Sequence, residues 1–310
     1  MVGWSFMKKL FFSLKNVAIL TLVCLLVFLF SSDVSYPEDP NSKTLAIWAL
    51  SDIQPRNHAQ RIDFAQAVED INENLPGIDI AIVAGDIVHS ANADDYEWYL
   101  SVRGRSYIKE WHEIAGNHDL KGDTGGRLYR KYVNSRTNYS FTKGNVLFIL
   151  MSDEEKGSPT EISDETFLWW KKLVEDNQDK IIVVVTHAPL EGSGIPLSDT
   201  RRRQILHSER FREVLEKYTV DLWLSGHVHV PQWFAGDIGR VPSLGGTVFV
   251  NAAAIRREAF GLKPPESRII IFTCGSREVQ IRSRNHRNSS FTESLDRTYR
   301  LSKPYICESQ

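Results

Sequence analysis

Apolar residues first appear as an unbroken run, VAILTLVCLLVFLF at 17–30. The next stretch, SSDVSYPEDPNSK (31–43), is polar, has two prolines and lacks a period, which predicts a linker. From Thr44 onward, short apolar runs alternate with amphipathic segments. TLAIWAL (44–50), DIAIVAG (79–85), EWHEIAG (110–116), IIVVVTH (181–187) and DLWLSGH (221–227) predict buried strands. Between the first two, Ile62, Ala65, Ala67, Val68 and Ile71 fall near one helical face, and Pro76-Gly77 ends the segment. SFT and VLFILMS predict a hairpin around Lys143-Gly144-Asn145. Ser163 is placed to cap a helix carrying Phe167, Trp169, Trp170 and Leu173, and SERFREVLEKY (208–218) predicts another.

The last third changes character. TVFVNAA, SRIIIFTC and REVQIRS are strand-like with no helix between them, and the latter two join at Gly275-Ser276. Strand–helix alternation predicts sheets covered by helices, and the β-only ending predicts a second, more antiparallel sheet. The chain thus divides into 1–30, a linker at 31–43, a domain at 44–284, and a polar tail at 285–310 that wraps the surface or frays.

Composition adds bounds. With 310 residues, 42% hydrophobic and 25% charged, the chain is long enough for one large α/β domain or two small ones. A net charge of −2 excludes the basic footprint of a nucleic-acid binder, so positive charge for a phosphate must come from local arginines or metal. Lys8, Lys9 and Lys15 ahead of the apolar run make 1–30 a signal sequence or an uncleaved membrane anchor, with membrane association through this segment in the second case. Both readings export the rest of the chain, as an anchored, secreted or periplasmic domain. Three cysteines and no C-x-x-C exclude a disulfide framework; with Cys24 in the membrane, Cys274 and Cys307 are the candidates to pair in an oxidising compartment, and the sequence does not show whether their geometry allows it.

The chemistry sits in five short motifs, each at the carboxyl end of a predicted strand: SDIQ (51–54), GDIV (85–88), GNHD (116–119), THAP (186–189) and GHVH (226–229). Strand carboxyl ends are where open α/β sheets gather ligand groups. Asp52, Asp86, Asn117, His187, His227 and His229 are side chains suited to a hard or borderline metal. Glycine before Asp86, Asn117 and His227 permits tight turns and close approach. Singly, each has an ordinary explanation: an aspartate caps or turns, a histidine packs, an asparagine turns. Five ligand-competent turns at five strand ends are a different matter. The remaining histidines, His58, His112, His207 and His286, read as solvated or packed.

In order, these motifs resemble the calcineurin-like metallophosphoesterase superfamily, whose pattern runs D-x-H, G-D, G-N-H-D/E, H, G-H-x-H; the resemblance covers about 44–284. It implies a four-layer α/β/β/α sandwich of two mixed β-sheets flanked by helices. It also implies a metallophosphoesterase with two divalent metals bridged by a carboxylate and a hydroxide, the hydroxide attacking in line on a phosphomonoester, phosphodiester or pyrophosphate. Carried over by motif, Asp86 is the bridging carboxylate. Asp52, Gln54 and His229 complete one metal site, and Asn117, His187 and His227 the other. Asn117 and His118 contact substrate, with His118 the catalytic candidate, either donating a proton or hydrogen bond to the leaving oxygen or only stabilising charge on the phosphoryl group. His89 falls where some relatives place an acidic partner for that histidine, and a direct His89–His118 pairing lacks a carboxylate.

Gln54 departs from the pattern. Its amide oxygen is a neutral, harder donor than imidazole, which favours Mn²⁺ over zinc, with Fe²⁺, Mg²⁺ and Zn²⁺ the other candidates. The six other ligand positions are intact, whereas a decayed scaffold loses several. Arg56 and Arg201-Arg202-Arg203 are candidates to reach substrate phosphate, although a solvated loop is the ordinary reading of each. The expected partner is a small-molecule phosphate ester, with specificity in the loops at 89–106, 120–137 and 190–207. A cyclic-nucleotide-type phosphodiesterase and a non-catalytic scaffold of the same fold are the alternatives. Substrate identity and oligomeric state have no readable code.

Overall fold

The computed structural model describes residues 43–123, 125–154, 160–258 and 263–307. The expectations for 1–30 and for the linker fall, apart from Lys43, outside the described residues. Among the described residues, no helix is long and apolar enough to cross a membrane.

Strand β1 (Thr44–Leu50) shows how the layers arise. Its alternate residues Leu45, Ile47 and Ala49 enter the core between two sheets, while Trp48 points the other way and meets Trp111 edge-on at 5.5 Å. Parallel to β1 run β2 (Ile80–Ala84) and then β3 (Glu110–Ile114), with Ile47 opposite Ile80. The second sheet opens with the hairpin β4 (Asn138–Lys143) and β5 (Val146–Met151), turning at Gly144-Asn145. It continues in parallel through β6 (Ile181–Thr186), β7 (Leu222–Ser225) and β9 (Thr247–Asn251), with β8 (Ile238–Val241) antiparallel at the edge.

Val146, Phe148, Leu150, Val183 and Leu224 face the first sheet, closing the central core. Their neighbours Leu147, Ile149, Val184 and Trp223 face outward onto Trp170 and Val174 of α4 (Asp164–Asp176) and Phe211 of α5 (Ser208–Leu215). Ser163 caps α4, accepting from the amide of Thr166. On the first sheet lies α1 (His58–Asn74), capped by the Asn57 side chain. The result is the four-layer sandwich of two mixed sheets flanked by helices.

The structure differs from the sequence reading in several places. The buried face of α1 carries Phe64, Ala67, Val68 and Ile71 together with Asp63 and Asp70, while Ile62 is exposed. Those aspartates are buried because Arg257 and Arg284 pair with them, a pattern hydropathy cannot register. The stretches 89–106 and 120–137 are not plain loops: they hold α2 (Ala93–Arg103) and α3 (Arg127–Tyr132). The β-only ending does not form a sheet of its own. Its first strand, β9, joins the second sheet, and β10 (Glu266–Thr273) and β11 (Glu278–Asn285) extend the first, antiparallel beside β1.

The polar stretch after 284, as far as residue 307, neither frays nor merely wraps. β12 (Ser290–Phe291) and β13 (Arg297–Arg300) pair with β11, and Leu301 and Tyr305 insert into the central core. Cys274 and Cys307 form a disulfide with Cα atoms 5.4 Å apart, fixing this segment beside the end of β10.

Candidate active site

The loops after β1, β2, β3, β6 and β7 bring the five motifs together. Asp52, Asp86, His227 and His229 all hold left-handed backbone, with φ of 54°, 57°, 66° and 53°. Each non-glycine residue in that region costs about 1–2 kcal/mol, so a cluster of four marks a site where side-chain direction outweighs backbone comfort. Close approach also requires the glycines. A Cβ on Gly226 would come within 2.6 Å of Asp52 Oδ2, and one on Gly116 would collide with Asp86.

Two ligand groups result, sharing one residue. Asp52, Asp86 and His229 present donor atoms within 4.8 Å of one another, and so do Asp86, His187 and His227. In the first group His229 Nε2 lies 2.8 Å from Asp52 Oδ1, and the Gln54 amide sits 2.7 Å from Asp86 Oδ2 and 3.2 Å from His229 Nε2. In the second, His187 Nε2 is 3.3 Å from Asp86 Oδ2 and 3.1 Å from His227 Nδ1.

Each of these histidines has its other ring nitrogen engaged outside the cluster. His187 Nδ1 donates to the Ala84 carbonyl at 2.8 Å, and His227 Nε2 to the Arg202 carbonyl at 3.0 Å. His229 Nδ1 meets Glu258 Oε1 at 2.9 Å. This arrangement fixes ring orientation and aims the second nitrogen inward, as outer partners of metal-bound histidines do. Gln54 Oε1 and Asn117 Oδ1 are buried and have no hydrogen-bond partner among the described residues. Buried acceptors without a donor are costly, and these two adjoin the ligand groups, where a cation would satisfy them. With the amide of Gln54 rotated by half a turn, its oxygen takes the place facing Asp86 and His229. The donor set of carboxylates, amide oxygens and imidazoles therefore fits divalent metal.

Charge follows the same grouping. Burial opposes ionisation of Asp52, yet His229 holds its carboxyl well below the usual range. Burial likewise works against a charged His187, but Asp86 pushes that imidazole well above its ordinary value. His227 is lowered to about 4 by burial and the neighbouring His187. Positive charge is thus stabilised on His187 beside Asp86 and disfavoured on His227 next to it.

His118 stands apart from both groups. Its amide donates to Asp86 Oδ1 at 2.8 Å, while its Nδ1 donates to the main-chain carbonyl of His89 at 2.8 Å, and Nε2 has no hydrogen bond among the described residues. The His89 ring stacks on that of His118, with centroids 4.9 Å apart. His89 thus holds His118 through its backbone and ring face, which removes the need for a carboxylate in a side-chain pairing. Arg203 is a brace, donating to the His227 carbonyl at 2.9 Å, and Arg201 is exposed.

Several site residues escaped the sequence reading. Asp119 accepts from the amides of Gly116, Ile87 and Val88, tying GNHD to GDIV, and burial beside Asp86 raises its carboxyl to about 7. Buried Arg256 donates to the Gln54 carbonyl at 2.6 Å and pairs with Glu258, joining the first motif to His229. Burial pushes Asp153 up to about 8, and its Oδ2 has no partner among the described residues. Asp153 and Arg256 follow the carboxyl ends of β5 and β9, so the strand-end rule applied to every parallel strand would have flagged both.

A calcineurin-like phosphoesterase family model matches residues 45–231, more than half of the chain and all five motifs. The chain belongs to the calcineurin-like phosphoesterase family. It is accordingly a metallophosphoesterase, a hydrolase of phosphoric esters. Among relatives, it is 24% identical over 215 residues to a "Probable cyclic nucleotide phosphodiesterase" of Moraxella catarrhalis, covering 62% of this chain and 74% of that one. It is 28% identical over 165 residues to a "Probable glycerophosphodiester phosphodiesterase" of Arcobacter nitrofigilis, covering 51% of this chain and 59% of that one. The purple acid phosphatase PPD1 of yellow lupin seeds superposes with a TM-score of 0.61 at 15% identity, over 89% of this chain and 58% of that one. GAP50 of Plasmodium gives 0.58 at 12% identity, over 86% and 90%. At such identities the structural neighbours show the shared fold alone.

Proposed function

We propose that this calcineurin-like phosphoesterase is a binuclear, divalent-metal-dependent hydrolase acting on phosphodiester-type bonds. The observation carrying this reading is the pair of ligand groups that share Asp86, flanked by the unpartnered oxygens of Gln54 and Asn117. Asp52, Gln54, Asp86 and His229 would hold one cation, and Asp86, Asn117, His187 and His227 the other. Such a pair, when bound, supplies Lewis acidity that neutralises phosphoryl charge and makes water nucleophilic at neutral pH. The amide oxygen of Gln54 favours Mn²⁺ over zinc. Diester substrates are supported by the names of the relatives above.

The chain's own groups then have distinct tasks. Asn117 and His118 line the place of the phosphoryl group. With Nδ1 committed to His89, His118 Nε2, which has no hydrogen bond among the described residues, donates a proton or hydrogen bond to the departing oxygen. A disulfide between Cys274 and Cys307 belongs in an oxidising compartment, which supports an extracytoplasmic location reached through the N-terminal segment.

The test is hydrolysis of bis-p-nitrophenyl phosphate by the full chain, stripped with chelator and titrated with Mn²⁺. Activity should be absent when stripped and saturate near two Mn²⁺ per chain. His118→Ala should lower kcat by about 10²–10³ with bound Mn²⁺ unchanged. Tight metal binding without hydrolysis of any mono-, di- or pyrophosphate ester would indicate a binding scaffold instead.

A further inference from the structure

The two ligand groups differ in charge. The first has a carboxylate of its own, Asp52, besides the shared Asp86, whereas the second adds only the neutral donors Asn117, His187 and His227. A further buried carboxylate, Asp153, stands beside the second group. It follows β5, whose last residue Met151 lies opposite Thr186 of β6, so it passes the end of the strand that leads into His187. Its amide donates to the Ala115 carbonyl at 3.0 Å, and the Ala115 amide donates to Ser152 Oγ at 2.9 Å. Asp153 is thereby fixed between the segments that supply His187 and Asn117.

Asp153 is 2% exposed, and its Oδ2 is buried with no hydrogen-bond partner among the described residues. The carboxylates around it are matched, Asp119 by three main-chain amides and Asp86 by the His118 amide and His187. Next in the chain, Glu154 accepts from Asn138 and Thr166 and so ties the segment to the fold. The side chain of Asp153 does no such work. Burial opposes charge on its carboxyl, His187 favours it, and Asp86, Asp119 and Glu154 oppose it. A buried carboxylate without a partner is costly, and the usual compensation is a hydrogen-bonded ion pair or a metal. The other unpartnered oxygen on this side, Asn117 Oδ1, belongs to the residue two positions beyond Ala115.

We infer that Asp153 supplies the missing countercharge of the second ligand group and so sets the affinity for a cation held by Asp86, Asn117, His187 and His227. Its oxygens are not among the donor atoms of that group that lie within 4.8 Å of one another. Asp153 is therefore a positioning residue that acts from outside the ligand atoms. With it, each group has one carboxylate of its own and shares Asp86. Outer groups of this kind change metal affinity by about 10–100-fold. This inference rests on the binuclear reading and adds a residue to it.

The experiment measures Mn²⁺ bound by the chelator-stripped full chain in equilibrium dialysis, together with the thermal midpoint before metal is added. Wild type should bind two Mn²⁺. Asp153→Asn, which keeps the shape and removes the charge, should bind one as wild type does and the other at least about tenfold more weakly. Its metal-free midpoint should equal or exceed that of wild type, because a carboxylate serving only the cation gives the empty fold nothing. Asp52→Asn locates the effect: alone it should keep one tight Mn²⁺, and combined with Asp153→Asn it should keep none. A double variant that keeps one assigns Asp153 to the first group and overturns the inference. Unchanged affinity for both ions or equal loss of both overturns it as well. So does a metal-free midpoint of Asp153→Asn well below wild type, since Asp153 would then serve the fold. Wild type binding a single Mn²⁺ ends the binuclear reading itself, whereas two bound with equal affinity by wild type and Asp153→Asn end this inference alone.

Discussion

The first sheet supports two buried clusters of aspartate and histidine that read alike in composition and differ in one respect. Away from the motifs, Asp70 of α1 meets Arg284 and His286 of the last strands. Its Oδ1 accepts from Arg284 and, at 3.0 Å, from Asn74, while its Oδ2 accepts from Arg284 Nε at 2.9 Å and meets His286 Nδ1 at 2.7 Å. His286 Nε2 meets Ser267 Oγ at 2.7 Å, and the Trp48 indole also donates to that hydroxyl. Every polar atom of this cluster that faces inward is matched by protein. At the motif cluster, Gln54 Oε1 and Asn117 Oδ1 are left over, and four residues carry strained backbone. A closed cluster holds a fold together. An open one leaves coordination for something else.

The comparison is broken most severely at Asp86. Asp86→Asn removes the carboxylate common to both ligand groups and should lower activity by roughly three orders of magnitude or more. Its thermal midpoint, measured without metal, should fall far less than that of a variant in the closed cluster. A variant keeping more than a tenth of wild-type activity would show that Asp86 is not shared.

Asp70→Asn is the converse. Leaving Arg284 buried without its partner should cost about 3 kcal/mol, lowering Tm by roughly 6–12 °C, with kcat per folded molecule unchanged. The pH dependence gives a second reading. Burial opposes charge on Asp70, but its bonds from His286 and Arg284 hold its carboxyl below the ordinary range. A carboxylate with a depressed folded pKa stabilises the fold above its unfolded value near 3.8, and that stabilisation disappears as pH falls through the folded value. Wild type should therefore lose stability below about pH 4, and the Asn variant should lack this component. Denaturant midpoints from pH 7 to pH 3 measure it; parallel curves would show that Asp70 is not the group responsible.

The sequence distinguishes these clusters only in part, and the reason is physical. Motif residues lie next to strand ends in the chain, so local pattern exposes them: TLAIWAL leads into Asp52 and DLWLSGH into His227. The two sheets were legible for the same cause, since Leu45, Ile47 and Ala49 alternate toward one core. The closed cluster joins residues some 214 positions apart, Asp70 to Arg284, with nothing in either neighbourhood to announce the other. Asp63 and Arg257 escaped in the same way, and with them the true buried face of α1. The C-terminal strands read as a polar tail because β13 lies largely exposed along β11, where neither face is required to be apolar. His89 kept its importance but changed its means, from side-chain pairing to a main-chain carbonyl.

The finest distinction concerns Gln54, which belongs to the open cluster by position and resembles the closed one by chemistry. Its Nε2 already touches Asp86 and His229, so without metal it behaves as one more internal hydrogen-bond donor. Its Oε1, buried and unpartnered, is what a purely internal role leaves unexplained. If the amide turns to present oxygen to a cation, Gln54→His replaces a hard, neutral oxygen with imidazole nitrogen at the same place. Activity should persist within about tenfold, and the ratio of zinc- to manganese-supported hydrolysis should rise several-fold. The measurement is a metal titration of chelator-stripped wild type and variant on bis-p-nitrophenyl phosphate. An unchanged ratio would place Gln54 with Asp70, as a residue that satisfies protein rather than metal.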